Sequence, residues 1–599
     1  MVFKGFHLFE TMSYAARPSV GCGQDKGLEL KRAAAFLACC LALPAATPVA
    51  AAEMEAPDVT VSKVYWDAAA AGLAEPGTAP GDVFAKLNEQ SAKRFAGIDK
   101  SAVPVLLPFD LDSFAKDADK PEAATSDKYF GGFHPNKFFL AGPAGYDANF
   151  EIRSGELGLS FRFPKPVVIE ISGAAFTYDL DGPDFQEVFP SKKELTDLFP
   201  GMKRILREAH VRYVFQRYGV PYVLSIQCYD MRPSKKHLSC READPIAEKF
   251  LTLLQVVGGT PSKIEQPKFS LSRPDKQSPD YTYHSPGDLI ENSGWKKLPG
   301  RADYHVYAPD MRFPIANAPG YVISQSFMPW GDCYRKGTVG RMGRKDAPYR
   351  CKINDKPLVF NESAPQNFNY PWRDNFCENR DYLVGQCPGG YGHQGQDIRP
   401  SNCVLQNAQA DRCLPYQHTV AAVHDGTIRR NAGNIGAYIV VNTADERLRF
   451  RYLHMNPKMM DDDGLLNGQK VSAGEIIGKV ATWGDFENGT SYHINFNIQV
   501  FTKAGWVWVN PYMSLVAAYE RLIGGRGKEI MAGEAVPPPP DKPPVILNPD
   551  PVVVAAAGAA PRVAEPPPPT AREKRAAENA KVQKRRHHRR AKRKKSGDD

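Results

Sequence analysis

Two polar side chains, His393 and Asp397, lie four residues apart on a stretch that reads G-H-Q-G-Q-D. The stretch is too polar and too rich in glycine to form a helix. An imidazole nitrogen and a carboxylate oxygen are both ligands that divalent transition metals accept in proteins. The pair therefore has the chemistry of a site for one divalent cation.

Two further polar clusters lie on stretches with the period of a β-strand. Residues 448–455 have the alternating pattern of a strand. His454, near the end of this stretch, lies on the same face as Phe450 and Tyr452. Residues 492–500 alternate almost perfectly, with apolar side chains on one face. The polar face of this second strand carries His493, Asn495, Asn497 and Gln499. A row of polar groups backed by an apolar face indicates the floor of a cleft.

The elements that must position these residues are short. Between residues 375 and 519, β-branched or aromatic runs alternate with glycine turns, a pattern typical of antiparallel β structure. The predicted strands are residues 419–423, 426–429, 437–442, 448–454, 475–480 and 491–500.

The first half of the chain, residues 53–314, has mixed periods and is predicted to be α+β. We predict helices over residues 203–218 and 243–257, and a buried strand over 221–226. No catalytic constellation is visible here, and His210 is interpreted as a structural histidine.

In this order, the three clusters and the glycine-containing stretches between them resemble the lysostaphin-type (LytM-type) zinc endopeptidases of bacterial cell walls. The pattern of that family runs H-x-G-x-D, V-x-A-x-x-x-G-x-V, Y-x-H-L, G-x-x-V-x-x-G-x-x-I-G, H-L-H-F-E-I and N-P. The counterparts here are residues 393–397, 420–428, 452–455, 468–478, 493–498 and 510–511. The match is confined to the C-terminal part of the chain.

The resemblance implies a compact antiparallel β core of the duplicated hybrid motif type, with an active-site groove. It also implies that His393 and Asp397 are zinc ligands, whereas His454 and His493 flank the metal-bound water and stabilise the oxyanion. The third ligand position falls on Asn495, where the family has histidine.

Asn495 leaves two functions open. Zinc prefers imidazole nitrogen to a neutral amide oxygen, so the substitution should weaken zinc binding. The leading expectation is a zinc-dependent metalloendopeptidase that hydrolyses peptide bonds of peptidoglycan. The alternative is a degenerate domain that binds peptidoglycan or activates another wall hydrolase. His418 or His424 is a further candidate for the missing ligand, and Trp483, Trp506 and Trp508 are available either to line a groove or to pack in the core.

Residues 1–52 have the pattern of a signal peptide, with a basic pair before an apolar run that ends in small residues. The basic stretch is long, so we expect the true start to lie downstream of Met1. The mature protein is then exported to the periplasm or envelope of a bacterium, without a transmembrane segment. Eight cysteines remain after cleavage, and their spacing favours the pairs Cys228/Cys240, Cys333/Cys351, Cys377/Cys387 and Cys403/Cys413 over a zinc site.

The net charge of +9 lies entirely in residues 571–599, which hold 13 Lys and Arg against 4 Asp and Glu. The neutral body therefore excludes a general nucleic-acid-binding role. The tail either binds anionic envelope polymers or phospholipid head groups, or is a solvated segment that only aids solubility. The predicted layout is multidomain, with one or more α+β domains of unknown function, a connecting segment, the lysostaphin-type peptidase domain, a Pro-rich linker and a disordered basic tail, at residues 53–314, 315–374, 375–530, 531–570 and 571–599.

Overall fold

The structure is a computed structural model. It describes residues 53–117, 119–123, 125–163, 166–180, 193–207, 210–228, 238–291, 293–323, 332–334, 350–353, 356–358, 371–380, 382–401, 415–431, 438–443, 445–483, 492–531, 533–538, 540–542 and 544–547. The signal peptide, the Cys403/Cys413 pair and the basic tail lie outside these residues and stay predictions.

The first half of the chain contains one large sheet with helices beside it. Its elements are β1 (Val59–Val61), α1 (Trp66–Ala70), α2 (Pro80–Ser91), β2 (Val105–Leu107), α3 (Leu111–Lys116), β3 (His134–Gly142), β4 (Gly145–Ile152), β5 (Val167–Ala174), β6 (Phe176–Tyr178), α4 (Lys193–Leu198), β7 (Lys203–Arg207), β8 (His210–Arg217), β9 (Val220–Gln227), α5 (Ala243–Thr252), β10 (Gln255–Gly258) and β11 (Gln277–His284). Six strands form an antiparallel sheet in the order β3-β4-β5-β9-β8-β7.

The helix predicted over residues 203–218 is wrong. This stretch forms β7 and β8, which pair antiparallel. Val211, Tyr213 and Phe215 are all buried, so the apolar residues of β8 follow the period of two of a strand. The second predicted helix ends at Thr252, and residues 255–258 form β10 instead, whereas the strand predicted over 221–226 is confirmed within β9.

The second half is mainly β. Its elements are β12 (Gly320–Ile323), β13 (Asp332–Tyr334), β14 (Arg350–Ile353), β15 (Lys356–Leu358), β16 (Gln396–Pro400), β17 (Thr419–Ala421), β18 (Gly426–Asn431), β19 (Tyr438–Asn442), β20 (Leu448–Leu453), α6 (Pro457–Asp462), β21 (Lys470–Val471), β22 (Ile476–Lys479), β23 (Ile494–Thr502), β24 (Gly505–Val509), α7 (Tyr512–Ile523) and β25 (Arg526–Ile530). Within the described residues, no helix is both long and apolar enough to cross a membrane.

An eight-stranded antiparallel sheet runs through this half, in the order β12-β16-β23-β20-β19-β18-β21, with β24 also paired with β23. The antiparallel β structure predicted here therefore agrees with the fold. Strand β12 comes from the predicted connecting segment and pairs with β16. The duplicated hybrid motif and the domain limits stay predictions.

Buried charges join the two sheets. Arg447, just before β20, donates from two nitrogens to the carboxylate of Asp147 on β4, at 3.1 and 3.2 Å. Arg449 on β20 donates to Glu170 on β5 at 2.6 Å, and Arg429 on β18 donates to the same carboxylate. These five residues are called the inter-sheet ion cluster below. Four of them are nearly inaccessible to solvent. Their charges are therefore compensated by ion pairs between the two halves of the chain and not by water.

Two of the predicted disulfides are confirmed, Cys228–Cys240 and Cys377–Cys387. Cys333 and Cys351 are register partners in the pairing of β13 with β14, and the disulfide predicted between them stays a prediction.

Candidate functional site

Strands β16, β20 and β23 bring the predicted site residues together. Asp397 on β16 and Leu453 on β20 are the register partners of Asn495 on β23, one on each side. Cross-strand partners share a face, so Asp397 and Asn495 lie side by side. His393 lies just before β16 and His493 just before β23, which places both histidines close to these paired strands.

Gly395 allows this close pairing. A Cβ atom there would lie 2.0 Å from Nδ2 of Asn497 and 2.1 Å from the carbonyl oxygen of Phe496. Any side chain would force β16 away from β23. The glycine between His393 and Asp397 is therefore required by packing.

The amide nitrogen Nδ2 of Asn495 lies at the centre of the site. It is 2.6 Å from Nε2 of His393 and 3.0 Å from Oδ1 of Asp397. The same Oδ1 atom is 3.5 Å from Nε2 of His393 and 3.4 Å from Nε2 of His493. All four side chains are buried. The structure thus brings together His393, Asp397, His493 and Asn495.

His454 lies next to this group. Its ring centroid is 4.5 Å from that of His493, and its Nδ1 atom donates to the carbonyl oxygen of Trp483 at 2.7 Å. The backbone of His454 has a φ of 72°, in the left-handed region that non-glycine residues rarely adopt. This conformation lets the chain turn at the end of β20 while the imidazole stays beside His493.

Asn375 supports the site, and sequence reasoning missed it. Its carbonyl oxygen accepts from Nδ1 of His393 at 3.0 Å, and its side chain donates to Oδ2 of Asp397 at 3.2 Å. A guanidinium nitrogen of Arg380 lies 3.8 Å from the same Oδ2 atom. No motif marks either residue, although both lie beside or within the short disulfide loop predicted between Cys377 and Cys387.

Burial and neighbouring charges fix the protonation of the site. Burial lowers the pKa of His393 from 6.5 to about 4 and that of His454 to about 3. Burial opposes ionisation of Asp397, but His393, His493 and Arg380 hold its pKa well below the usual range. At neutral pH, His393 and His454 are therefore neutral and Asp397 is charged. Because Nδ1 of His393 donates to a carbonyl, its Nε2 atom carries a lone pair.

The arrangement does not fit zinc. The two hydrogens of the Asn495 amide nitrogen are directed at Nε2 of His393 and Oδ1 of Asp397, and the resemblance assigns these two residues to the metal. An amide nitrogen is a donor without a lone pair to offer a cation. The Asn495 oxygen is engaged elsewhere, because it accepts from Asn497 at 2.8 Å. Among the residues that the structure describes, no three His, Cys, Asp or Glu side chains are placed to share a metal ion.

The two alternative histidine ligands lie elsewhere. Nδ1 of His418 is hydrogen-bonded to the hydroxyl of Tyr492 at 2.8 Å. His424 pairs with Glu446 at 3.2 Å and is hydrogen-bonded to the carbonyl oxygen of Asp425. Neither contact includes His393, Asp397 or Asn495.

The pair of His424 with Glu446 gives a direct test of the electrostatics. Burial opposes protonation of His424, but Glu446 and the Asp425 carbonyl raise its pKa from 6.5 to about 9. Titration of the imidazole by NMR in histidine-labelled protein should show this value, and Glu446→Gln should return it towards 6.5. Asp445→Asn, a neighbouring change of equal charge, serves as the control. A wild-type pKa near 6.5 would contradict the pairing.

Two of the three tryptophans pack inside the protein. Trp506 and Trp508 are buried, with Arg449 over the ring of Trp506 at 3.8 Å and Arg451 over that of Trp508 at 3.9 Å. Trp483 is half-buried beside His454. Packing is therefore the role of Trp506 and Trp508, and Trp483 alone of the three borders the site.

No protein-family model matches the sequence, and no curated protein matches it. Part of the chain is similar to solved structures. A glycyl-glycine endopeptidase LytM from Ruminococcus gnavus is 23% identical over 23% of this chain and 49% of its own, with a TM-score of 0.17. The antimicrobial peptidase lysostaphin from Staphylococcus simulans is 25% identical over 28% of this chain and 58% of its own, with a TM-score of 0.16.

Csd3 from Helicobacter pylori is 21% identical over 21% of this chain and 27% of its own, with a TM-score of 0.13. This chain thus spans about half of the length of the first two structures. These TM-scores are too low to carry an assignment of function.

Proposed function

We propose that this chain is a non-catalytic peptidoglycan-binding protein of the bacterial envelope, which holds the wall for a separate hydrolase or activates it. Two observations support the proposal. The ordered motifs resemble those of the lysostaphin-type peptidases, whose substrate is the wall. The amide nitrogen of Asn495 is hydrogen-bonded to both His393 and Asp397, the residues that the resemblance assigns to zinc, and this second observation carries the conclusion.

Zinc binding would carry an energetic cost. Asn495 would have to turn its amide by half a rotation to present oxygen to the metal. The rotation breaks its hydrogen bonds to His393 and Asp397 and places its nitrogen against the nitrogen of Asn497. A buried donor without an acceptor costs about 1 to 3 kcal/mol. The amide oxygen is also a poorer zinc ligand than the imidazole it replaces.

The second candidate is a zinc-dependent endopeptidase that hydrolyses peptide bonds of peptidoglycan. The observation in its favour is that His393, Asp397, His454 and His493 all lie within one small group, in which His454 is half-buried and the other three are buried. Both candidates share export to the periplasm or envelope, and in both the basic tail is proposed to contact anionic envelope polymers or lipid head groups.

One set of measurements separates the candidates. Full-length protein is purified without chelator and assayed for zinc content, for cleavage of muropeptides and for co-sedimentation with peptidoglycan. We expect substoichiometric zinc and no cleavage, together with retention on peptidoglycan. Stoichiometric zinc with cleavage by the wild-type protein would overturn the proposal in favour of the enzyme. Absence of both cleavage and retention would overturn both candidates.

A further inference from the structure

Three side chains form a hydrogen-bonded series that ends at the centre of the site. Arg451 on β20 donates through Nε to Oδ1 of Asn497 at 2.8 Å, and Asn497 donates through Nδ2 to Oδ1 of Asn495 at 2.8 Å. Asn495 then donates to His393 and Asp397. Arg451 and Asn497 are register partners in the pairing of β20 with β23, which places their side chains on one face.

The direction of this series is fixed at its first member. A guanidinium group donates hydrogen bonds and cannot accept them. Asn497 must therefore present its oxygen to Arg451 and its nitrogen to Asn495. The oxygen of Asn495 accepts, and its nitrogen is left to face His393 and Asp397. Arg451 is itself held in place, since it also donates to Gln394 and lies over the ring of Trp508 at 3.9 Å.

We propose that Arg451 and Asn497 are positioning residues that hold the Asn495 amide in the orientation that excludes a metal. The inference rests on the metal-free centre of the proposed function and names the residues that maintain it. It places control of metal binding at position 497, a residue that touches neither His393 nor Asp397 in the hydrogen-bonded series.

The donor nitrogen of Asn497 would also affect a histidine placed at position 495. A histidine that binds a metal through Nε2 must carry its proton on Nδ1, and that proton needs an acceptor. Here the group that faces position 495 is the donor nitrogen of Asn497. The donor stabilises the opposite tautomer, with the lone pair on Nδ1 and the proton on Nε2. Asn495→His by itself therefore restores the side chain but not the tautomer that binds zinc.

The motif of the resembled family has glutamate where this chain has Asn497. A carboxylate at this position accepts from Arg451 and from Nδ1 of a histidine at 495 at the same time. The two asparagines thus depart from the pattern as a pair.

The most specific test replaces the side-chain NH2 group of residue 497 with an oxygen and leaves the candidate ligands unchanged. Asn497→Asp keeps the size of the side chain but makes it an acceptor on both sides. The amide of Asn495 can then turn and donate to the new carboxylate. Its oxygen would face the same point as the lone pairs of His393 and Asp397. Zinc affinity of the full-length protein, measured by competition with a chromogenic chelator, should rise about 10- to 100-fold. Asn467→Asp is the matched control, because Asn467 contacts Arg430 and Asn136 and no residue of the site.

A second pair of variants tests the tautomer. Asn495→His with Asn497→Glu should bind zinc about 10- to 100-fold more tightly than Asn495→His alone. Thermal unfolding and far-UV circular dichroism of each variant show whether the fold is kept. Equal zinc affinity of the two variants would overturn the role of Arg451 and Asn497, as would an Asn497→Asp affinity equal to that of Asn467→Asp.

The same titrations distinguish this inference from the proposed function. Tight zinc binding by the wild-type protein would overturn the metal-free centre itself. Weak binding by the wild type, with tight binding by Asn495→His alone, would leave the proposed function standing and remove the positioning role of Asn497.

Discussion

Glu170→Ala is expected to lower the free energy of unfolding by about 3 to 5 kcal/mol. Glu170 accepts from Arg449 at 2.6 Å and from Arg429 within the inter-sheet ion cluster. Burial opposes ionisation of Glu170, but these two guanidinium groups hold its pKa well below the usual range. Removal of the carboxylate leaves Arg449, which is 4% exposed, without that counter-ion in a dry environment.

The free energy of unfolding, measured by denaturation with guanidinium chloride at pH 7, reports this effect, because Glu170 is fully charged at that pH. Its contribution is present above the ordinary pKa of 4.5 and is lost as the pH falls below that value. Glu122→Ala, which removes an exposed carboxylate of the same half, should change stability by about 0.5 kcal/mol or less. A loss for Glu170→Ala no larger than that of the control would show that the ion cluster does not join the sheets.

The second large expected effect is a loss of stability in mild acid. His393 is neutral in the folded protein with a pKa of about 4, against 6.5 when exposed. The unfolded chain therefore binds a proton that the folded chain does not. The stability from the neutral imidazole is complete above pH 6.5 and falls by about 3 kcal/mol as the pH approaches 4.

The measurement compares the free energy of unfolding at several pH values for the wild type and for His393→Gln. The glutamine variant keeps a hydrogen-bonding side chain but has no proton to gain in this range. We expect it to be less stable at pH 7 and to lose stability less steeply between pH 6.5 and 4. Equal steepness would show that His393 is protonated in the folded protein.

The alternation of residues 448–455 and 492–500 was sufficient to predict β20 and β23, together with the polar face of β23. The same reasoning failed at residues 203–218. There, Ile205 and Tyr213 lie at helical spacing, but they belong to two paired strands, β7 and β8. A hairpin with apolar residues on both strands matches a helical period by coincidence, and the pairing that distinguishes the two is not local.

The motif order was sufficient to predict that His393, Asp397, His493 and Asn495 lie together. It was not sufficient to predict what the centre contains. An asparagine offers either an oxygen or a nitrogen, and the choice at Asn495 depends on Arg451, from a different strand. Asn375 was missed for a similar reason, since its main contact with His393 is made by a backbone carbonyl that no side-chain pattern reveals.

The inter-sheet ion cluster has a practical consequence for protein engineering. A fragment that begins at residue 375, as the motifs alone would recommend, lacks the acidic partners of Arg429, Arg447 and Arg449 and the strand that covers the edge of β16. Such a fragment has an open sheet edge and three guanidinium groups without the carboxylates that pair with them in the whole chain. A truncated version is therefore a poor substitute for the full-length protein in any assay of the C-terminal part.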